Sequence, residues 1–414
     1  MVNFSLEVVS EENNIFFPYI SQIVVENCYA SKNFNIPKDP LSKFKHIILT
    51  GKNGSGKTTI LNRINLILNH LQDGKTKEQK IANLKGTIAV NKNHPGRESW
   101  EKTLNELKDI DLLFLDSNIE RYFKEDDPCI ISLFKAHRRV ELLDVNTVTK
   151  EDDFISNLKV RKNTDDFTKL FKQYLVNKKV YEAFDFMNSK TSAISQSKIF
   201  FDNLRNILRD VLEDKDIELV FIQENFEFNI ILSDGRKILF NNLSEGFSAF
   251  LSVVMDLLIR TDLIRKQKND FDYQPYGVVL IDEPETHLHL SMQYNMLPLV
   301  SSLFPNIQFI VATHSPAIIS SLENAIVFDL TSKVEVADWI LGSSFSELMV
   351  RHFGLNNEYS PIADKILQEI NLAAKNKDTE ALRSVLDKNG SFLTPALKLD
   401  IEFLLIKIKN DYND

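Results

Sequence analysis

The glycine-rich stretch GKNGSGKTT at residues 51–59 constrains the fold of this chain more than any other feature. It fits the pattern G-x-x-x-x-G-K-[ST]. The apolar run HIILT before it predicts a strand, and the periodic run TILNRINLIL after it predicts a helix. A loop of this kind wraps its backbone around a chain of phosphates, and the helix N-terminus adds positive charge. The expected phosphate contacts are Gly51, Asn53, Gly54, Ser55, Gly56, Lys57, Thr58 and Thr59.

Two side chains of this loop have more specific expected roles. Lys57 is expected to neutralise the β- and γ-phosphates, and Thr58 is expected to hold Mg²⁺. Glycine is scarce in the chain, with 12 in 414 residues, and three of the twelve lie in this one loop. That concentration argues against a glycine turn that matches the pattern by accident.

The run VVLIDEP at residues 278–284 ends an apolar predicted strand with two carboxylates. Two charges at the tip of a buried strand are unfavourable unless they meet a cation or a reacting group. Asp282 suits the coordination shell of Mg²⁺, through water, and Glu283 suits a general base that orients an attacking water. The alternative is a surface turn that carries two acids.

The run FIVATHSP at residues 309–316 has the same form, an apolar strand that ends in polar residues, here with His314. A single histidine at a strand end is usually a structural residue. Ligands of open α/β sheets, however, bind at the carboxyl ends of the strands. If the three strands are neighbours, Lys57, Glu283 and His314 converge, and we then expect His314 to contact the γ-phosphate.

Composition and charge limit the class of protein. The chain is 43% hydrophobic and 26% charged, which is typical of a globular protein, and its net charge of −9 provides no overall attraction to nucleic acid or to an anionic membrane. Its two cysteines, Cys28 and Cys129, predict neither a disulfide framework nor a metal site. No run approaches the length of a membrane span. We therefore expect a cytoplasmic protein with no membrane partner.

Four zones follow from the pattern of apolar and polar residues. Residues 1–71 predict the first part of an α/β domain with the glycine-rich loop, and residues 72–216 predict a mainly helical insertion with a buried strand at CIISLFKAH. Residues 217–339 predict antiparallel strands with a turn at Asp234-Gly235, followed by the α/β pattern again. Residues 340–414 predict a helical tail.

The order of GKNGSGKTT, LSEGF, LIDEPETHLH and VATHSP resembles that of the ATP-binding-cassette ATPases. Within them it is similar to the branch of RecF, SMC-like repair ATPases and OLD-type phage-defence ATPases, including subunits of the Septu or PARIS kind. The resemblance implies a P-loop NTPase head of mixed or parallel sheet plus an antiparallel part. It also implies ATP and Mg²⁺ as cofactors and ATP hydrolysis as the activity.

The pentapeptide LSEGF stands where this superfamily has its signature motif. The resemblance implies that Ser244 and Gly246 bind the γ-phosphate of an ATP held by a second subunit, so that the protein works as a head-to-tail dimer. Glu245 and Phe247 depart from the usual glycine and glutamine. A carboxylate near a triphosphate is repelled unless it points away or meets a cation.

The resemblance leaves several functions open. The first is an ATP-driven switch in phage defence or DNA maintenance that regulates a nucleic-acid or protein partner, such as a separately encoded nuclease. DNA or RNA could bind the insertion, or its basic residues could form a solvated helix face. The alternatives are a subunit that energises a membrane transporter and a RecF-like DNA-repair clamp. The basic residues concerned are Lys159, Arg161, Lys162, Lys169, Lys172, Lys178 and Lys179, and the expected glutamine-loop position is near Arg138 and Arg139.

Overall fold

The structure of the protein is a computed structural model. It describes residues 17–28, 31–123, 128–136, 142–150, 167–188, 191–336, 342, 347–348, 361–389 and 393–411. The chain divides into two compact units, residues 1–343 and residues 344–414. Each unit is described by itself.

A six-stranded sheet forms the centre of the first unit. Its strands are β3 (His46–Thr50), β5 (Ile130–Phe134), β9 (Gly277–Asp282), β10 (Ile307–Ala312), β11 (Ala325–Asp329) and β12 (Val334–Glu335). They lie in the order β12-β11-β3-β10-β9-β5, and every neighbouring pair is parallel except β11 with β12. Every residue of β3, β9 and β10 is buried, as expected for parallel strands that are covered on both faces.

Two smaller antiparallel sheets complete the β-structure that is described. One has the order β2-β1-β4, with β1 (Ile20–Cys28) between β2 (Ser31–Ile36) and β4 (Ile110–Phe114). The other contains β6 (Glu218–Ile222), β7 (Glu227–Ile231) and β8 (Lys237–Leu239). Gly235, in the turn between β7 and β8, has a φ of +83°, which the predicted Asp-Gly turn requires.

Helices surround these sheets. Those of the first unit are α1 (Lys57–Gln72), α2 (Lys77–Val90), α3 (Arg97–Lys108), α4 (Phe171–Met187), α5 (Thr191–Val211), α6 (Glu245–Lys268), α7 (Leu290–Leu303) and α8 (Pro316–Ile319). Helix α1 packs its apolar face, including Ile60, Ile64 and Leu68, into the core that it shares with β1, β3, β9 and β10. This packing holds the N-terminus of α1 at the carboxyl edge of the central sheet.

The second unit is helical in its described part. It contains α9 (Pro361–Lys375), α10 (Thr379–Asn389) and α11 (Pro395–Asp411). These helices bury a small core of their own, in which Leu382 and Ile401 are almost fully inaccessible to solvent. Nowhere in the described part of the chain is there a helix with the length and apolar content needed to cross a membrane.

The predicted fold class is confirmed: an α/β domain with parallel and antiparallel sheets, a largely helical middle zone and a helical tail. The strand predicted within CIISLFKAH is β5, at the edge of the central sheet beside β9. Strand β4 was not predicted. It lies in the zone assigned to helices, and it pairs with β1, so that this zone also contributes to a sheet of the head.

Three of the four described basic residues that were proposed as a nucleic-acid surface are paired with carboxylates of the chain. Lys172 is buried and pairs with Glu227, and Lys178 is buried with its Nζ 3.1 Å from Oδ2 of Asp262. Lys179 pairs with Glu182, on the same helix α4. A buried lysine that neutralises a carboxylate cannot contact phosphate from solution, so the prediction of a basic groove is wrong for Lys172 and Lys178.

Of the other basic residues of that prediction, only one lies in the part of the chain that the structure describes. Lys169 is exposed. Lys159, Arg161 and Lys162 lie outside the described residues, as do Arg138 and Arg139 at the expected glutamine-loop position.

Candidate functional site

The loop between β3 and α1 has the backbone geometry that its glycines permit. Gly51, Gly54 and Gly56 have φ values of +133°, +79° and +99°, which residues with a β-carbon rarely adopt. Gly56 is the N-cap of α1, so the first turn of this helix opens directly onto the loop. Asn53 and Gly54 are exposed at the loop surface, and Thr59 is half-buried in the first turn of α1. The hydroxyl of Ser55 is buried and has no hydrogen-bond partner among the described residues.

The side chain of Lys57 folds back over this loop. Its Nζ donates hydrogen bonds to the carbonyl oxygens of Gly51, at 2.9 Å, and Lys52, at 3.3 Å. Only 6% of the residue is exposed. Burial lowers the pKa of Lys57, and the nearby carboxylates, Glu283 first among them, oppose this shift. The acids at the end of β9 therefore favour the charged ammonium.

Thr58 and Asp282 connect α1 to the end of β9. The hydroxyl of Thr58 donates a 2.8 Å hydrogen bond to Oδ2 of Asp282, which is 5% exposed. Mg²⁺ prefers oxygen ligands, and in phosphate-binding sites it usually takes one or two protein oxygens and completes its shell with phosphate and water. Within the described ranges no group of three or more His, Cys, Asp or Glu residues could hold a metal. The Thr58 and Asp282 oxygens are the pair that suits Mg²⁺ shared with a phosphate.

Glu283 follows Asp282 in an unusual backbone conformation. Its φ is +45°, and its N–H donates a 2.8 Å hydrogen bond to the carbonyl oxygen of Ala312, at the end of β10. A left-handed conformation at a residue other than glycine is a form of strain that concentrates at functional sites. The hydrogen bond fixes the position of Glu283 relative to the end of β10.

His314 lies beyond the end of β10 and is half-buried. The charges of Lys57 and Glu283 act on its imidazole. Burial lowers the pKa of His314, the positive charge of Lys57 lowers it further, and the negative charge of Glu283 opposes both effects. The imidazole is therefore neutral at pH 7. The central sheet thus brings together Lys57, Thr58, Asp282, Glu283 and His314, as expected from the ends of three neighbouring strands.

Glu285 is part of the same edge, although no role was predicted for it from the sequence. Its Oε1 accepts a 2.6 Å hydrogen bond from the N–H of His314, and its Oε2 accepts a 2.8 Å hydrogen bond from the hydroxyl of Thr313. Burial raises the pKa of Glu285, and these two hydrogen bonds oppose that shift. The signal in the sequence was a third acid next to the Asp-Glu pair, in DEPE.

The turn after β11 supports the glycine-rich loop. This contact was not predicted from the sequence. The hydroxyl of Thr331 accepts a 2.8 Å hydrogen bond from the N–H of Lys52. A β-carbon at Gly51 would lie 2.9 Å from that hydroxyl and 3.0 Å from Oδ1 of Asp329. The loop is therefore held closely against a neighbouring strand end, and no local pattern in the sequence indicates this contact.

The pentapeptide LSEGF begins α6, and Ser244 is its N-cap. Ser244 is exposed, and its hydroxyl makes no capping hydrogen bond. Glu245 has a neighbour within the chain, because its Oε2 lies 3.5 Å from Nδ1 of His287. Both of these side chains are more than half exposed, so this pair contributes little to stability.

Gly246 packs against the backbone that follows Glu283. A β-carbon at Gly246 would lie 2.2 Å from the carbonyl oxygen of His287 and 3.3 Å from the Cα of Leu288. No side chain fits there, so the close approach of α6 to this turn accounts for the glycine. The structure thus gives Gly246 a packing contact within its own chain, and the phosphate contact that the resemblance implies stays a prediction.

A family model described as "AAA domain, putative AbiEii toxin, Type IV TA system" matches residues 47–320, a range that contains every site residue predicted from the sequence. The chain belongs to this family. The matched range begins in β3 and ends just after α8, so the family covers the central sheet together with the LSEGF helix α6.

The curated relatives include retron and Septu proteins. The chain is 28% identical over 203 residues to the "Retron Vc95 probable ATPase" of Vibrio cholerae. The aligned region covers 49% of this chain and 35% of the relative. It is 22% identical over 376 residues to the "Septu protein PtuA" of Bacillus thuringiensis, which covers 84% of this chain and 88% of the relative. The chain thus spans only about a third of the length of the retron relative.

Among solved structures, the "SmcHead bound to the C-winged helix domain of ScpA" matches 77% of this chain and 97% of its own. The TM-score is 0.37 and the identity is 14%.

Proposed function

We propose that this protein binds ATP with Mg²⁺ and hydrolyses ATP to ADP and phosphate at the edge of the central sheet. The observation that carries this proposal is the convergence of Lys57, Thr58, Asp282, Glu283 and His314 at the ends of β3, β9 and β10. The family supports it, and so does the retron relative whose name includes "probable ATPase".

The residues of the loop suit a triphosphate. Three glycines with positive φ leave the loop backbone without side chains at the positions where phosphate oxygens approach, and the N-terminus of α1 faces the same space. The buried hydroxyl of Ser55, with no partner among the described residues, is available to donate to a phosphate oxygen. Lys57 would exchange the carbonyl oxygens that it now contacts for the β- and γ-phosphates.

Thr58 and Asp282 would hold Mg²⁺, which, when bound, offsets the negative charge of the β- and γ-phosphates. Glu283 would orient the attacking water and accept its proton. His314, neutral at pH 7, would donate a hydrogen bond to the γ-phosphate. The hydrogen bond from the Glu283 N–H to Ala312 supports this division of roles, because it sets the general base beside the strand that carries His314.

We further propose that two copies close head to tail over ATP, with Ser244 of one copy contacting the γ-phosphate bound by the other. The exposed hydroxyl of Ser244 at the N-terminus of α6 supports this step, because a helix N-terminus attracts an anion. Gly246 would contribute by keeping α6 close to its own chain. In this arrangement Glu245 would lie beside His287 of its own chain.

The closing and opening of the dimer would regulate a partner, and we propose a cytoplasmic role in bacterial anti-phage defence with a separately encoded effector nuclease. The Septu and retron names of the relatives support this role. The buried ion pairs of Lys172 and Lys178 weigh against direct binding of DNA or RNA by helix α4.

Steady-state ATP hydrolysis by the wild type and by Glu283→Gln tests the activity. We expect the variant to lose about 10²- to 10⁴-fold in kcat, because it lacks the general base, while it still binds ATP. Glu323→Gln makes the same chemical change at an exposed glutamate and should hydrolyse ATP as the wild type does. Equal rates for Glu283→Gln and the wild type would contradict the proposed role of Glu283.

A further inference from the structure

The turn that carries His314 is held at each of its backbone N–H groups. Thr313 donates its N–H to the carbonyl oxygen of Leu49, on β3, at 2.9 Å. His314 donates its N–H to Oε1 of Glu285 at 2.6 Å, and Ser315 donates its N–H to the hydroxyl oxygen of Thr313 at 2.9 Å. Three consecutive N–H groups thus have three different acceptors.

Glu285 provides the only one of these acceptors that comes from the chain following β9. Its two oxygens have different donors: Oε1 accepts a hydrogen bond from the N–H of His314, and Oε2 accepts one from the hydroxyl of Thr313. The Thr313 hydroxyl can then accept from Ser315, since its own proton is directed at Glu285. Ser315 continues the network, as its hydroxyl donates to Oε1 of Gln293 on α7 at 2.6 Å.

Both oxygens of Glu285 accept hydrogen bonds in this network. Glutamine has the same shape, but one of its two terminal atoms is an NH₂ group that can only donate. If this group faced the N–H of His314, two donors would meet. If it faced Thr313, the hydroxyl could turn to accept from it, and the hydrogen bond from His314 would be kept. Glutamine can therefore preserve the contact with His314, whereas alanine at position 285 removes both acceptors.

We propose that Glu285 is a positioning residue that holds the backbone of His314, and thereby directs the imidazole to the γ-phosphate, from the strand end that also bears Asp282 and Glu283. This inference rests on the proposed ATPase function. It adds a link between β9 and β10: a shift of the chain after β9 moves His314 through the Glu285 carboxylate, so the general base and the histidine move together.

The test compares kcat for ATP hydrolysis with the directly measured Kd for ATP in the wild type, Glu285→Ala, His314→Ala and the double variant. We expect each single variant to lose roughly 10- to 100-fold in kcat, the range that small misplacements of reacting groups produce, with Kd changed less than about threefold. The double variant should lose no more than His314→Ala alone, because Glu285 acts through His314. Thr313→Ser should retain activity, whereas Thr313→Val should lose it.

The outcomes separate this inference from the proposed function. If the losses of the two single variants multiply in the double variant, or if Glu285→Ala keeps the wild-type kcat, the positioning role is overturned while hydrolysis stands. A larger change in the Kd for ATP than in kcat would also overturn the positioning role. If the wild type does not hydrolyse ATP, or if Glu283→Gln does not abolish the hydrolysis, both the proposed function and the positioning role fail. The thermal midpoint of each variant shows whether a loss of kcat is merely a loss of folded protein.

Discussion

The hydroxyl of Thr58 donates a 2.8 Å hydrogen bond to Oδ2 of Asp282, two residues that lie 224 positions apart in the chain. This contact joins the first turn of α1 to the end of β9. It depends on the order of the central sheet, in which β10 lies between β3 and β9. Helix α1, which follows β3, reaches over the ends of β10 and β9. The two oxygens are the basis of the proposed Mg²⁺ site.

Removal of either oxygen should weaken the dependence of hydrolysis on Mg²⁺. We expect Asp282→Asn and Thr58→Val to raise the free Mg²⁺ concentration for half-maximal hydrolysis by about 10- to 100-fold, as changes around a metal site typically do. Thr58→Ser keeps the hydroxyl and should stay near the wild type. Titration of Mg²⁺ at fixed ATP, starting from EDTA-treated protein, measures the effect. An unchanged midpoint in Asp282→Asn would remove Asp282 from the metal site.

An arginine at position 244 should prevent the proposed ATP-dependent dimer. In the Glu283→Gln background, which is expected to bind ATP without hydrolysing it, ATP should convert monomer to dimer in light scattering. Ser244→Arg in the same background should remain monomeric, because its side chain fills the space in front of the N-terminus of α6. Ser99→Arg adds the same charge and size at an exposed position of α3 and should still dimerise. A normal dimer with Ser244→Arg would refute the proposed contact.

A methyl group at position 246 should destabilise the fold. Because a β-carbon there would lie 2.2 Å from the carbonyl oxygen of His287, Gly246→Ala must displace one of two backbones, which typically costs about 1–3 kcal/mol. Gly86→Ala is the matched control, since Gly86 lies within α2 with open space around it and should gain about 0.5–1 kcal/mol. Urea unfolding of both variants measures the difference. Equal stability of the wild type and Gly246→Ala would show that the turn yields without cost.

The stability of the fold should depend on pH through His46. This residue is buried on β3, its Nδ1 accepts a 3.0 Å hydrogen bond from the N–H of Phe309, and burial lowers the pKa of His46 to about 4. Between that value and about 6.5 the unfolded chain binds the proton and the folded chain does not. The free energy of unfolding is therefore highest above pH 6.5 and should fall by about 3 kcal/mol as the pH drops to 4.

The variant His46→Asn keeps an acceptor for Phe309 and cannot titrate in this range. We expect its free energy of unfolding to lose about 3 kcal/mol less than that of the wild type between pH 6.5 and 4. Urea unfolding at several pH values measures both slopes. Parallel slopes would show that other groups cause the pH dependence.

Much of the site could be predicted because its signals are local. The glycine-rich loop, the two acids after β9 and His314 after β10 each stand at the end of an apolar run, and parallel strands bring such ends to one edge. Strand β4 could not be predicted in the same way. Its five residues, IDLLF, are short and follow a polar helical stretch, and only pairing with β1 about 90 positions earlier stabilises them as a strand.

The sequence by itself determined the glycine-rich loop between β3 and α1 and the acids and histidine at the ends of β9 and β10, because each depends on residue type and short-range periodicity. Tertiary structure alone decided which groups meet. Glu285 receives the N–H of His314 only because β9 and β10 are neighbours, and Gly246 is required only because the backbone of His287 passes beside it. Lys178 is neutralised by Asp262 rather than exposed to a ligand for the same reason. Hydrogen bonds, ion pairs and close packing act over a few ångströms, so residues distant in sequence can form them only after the fold has brought them together.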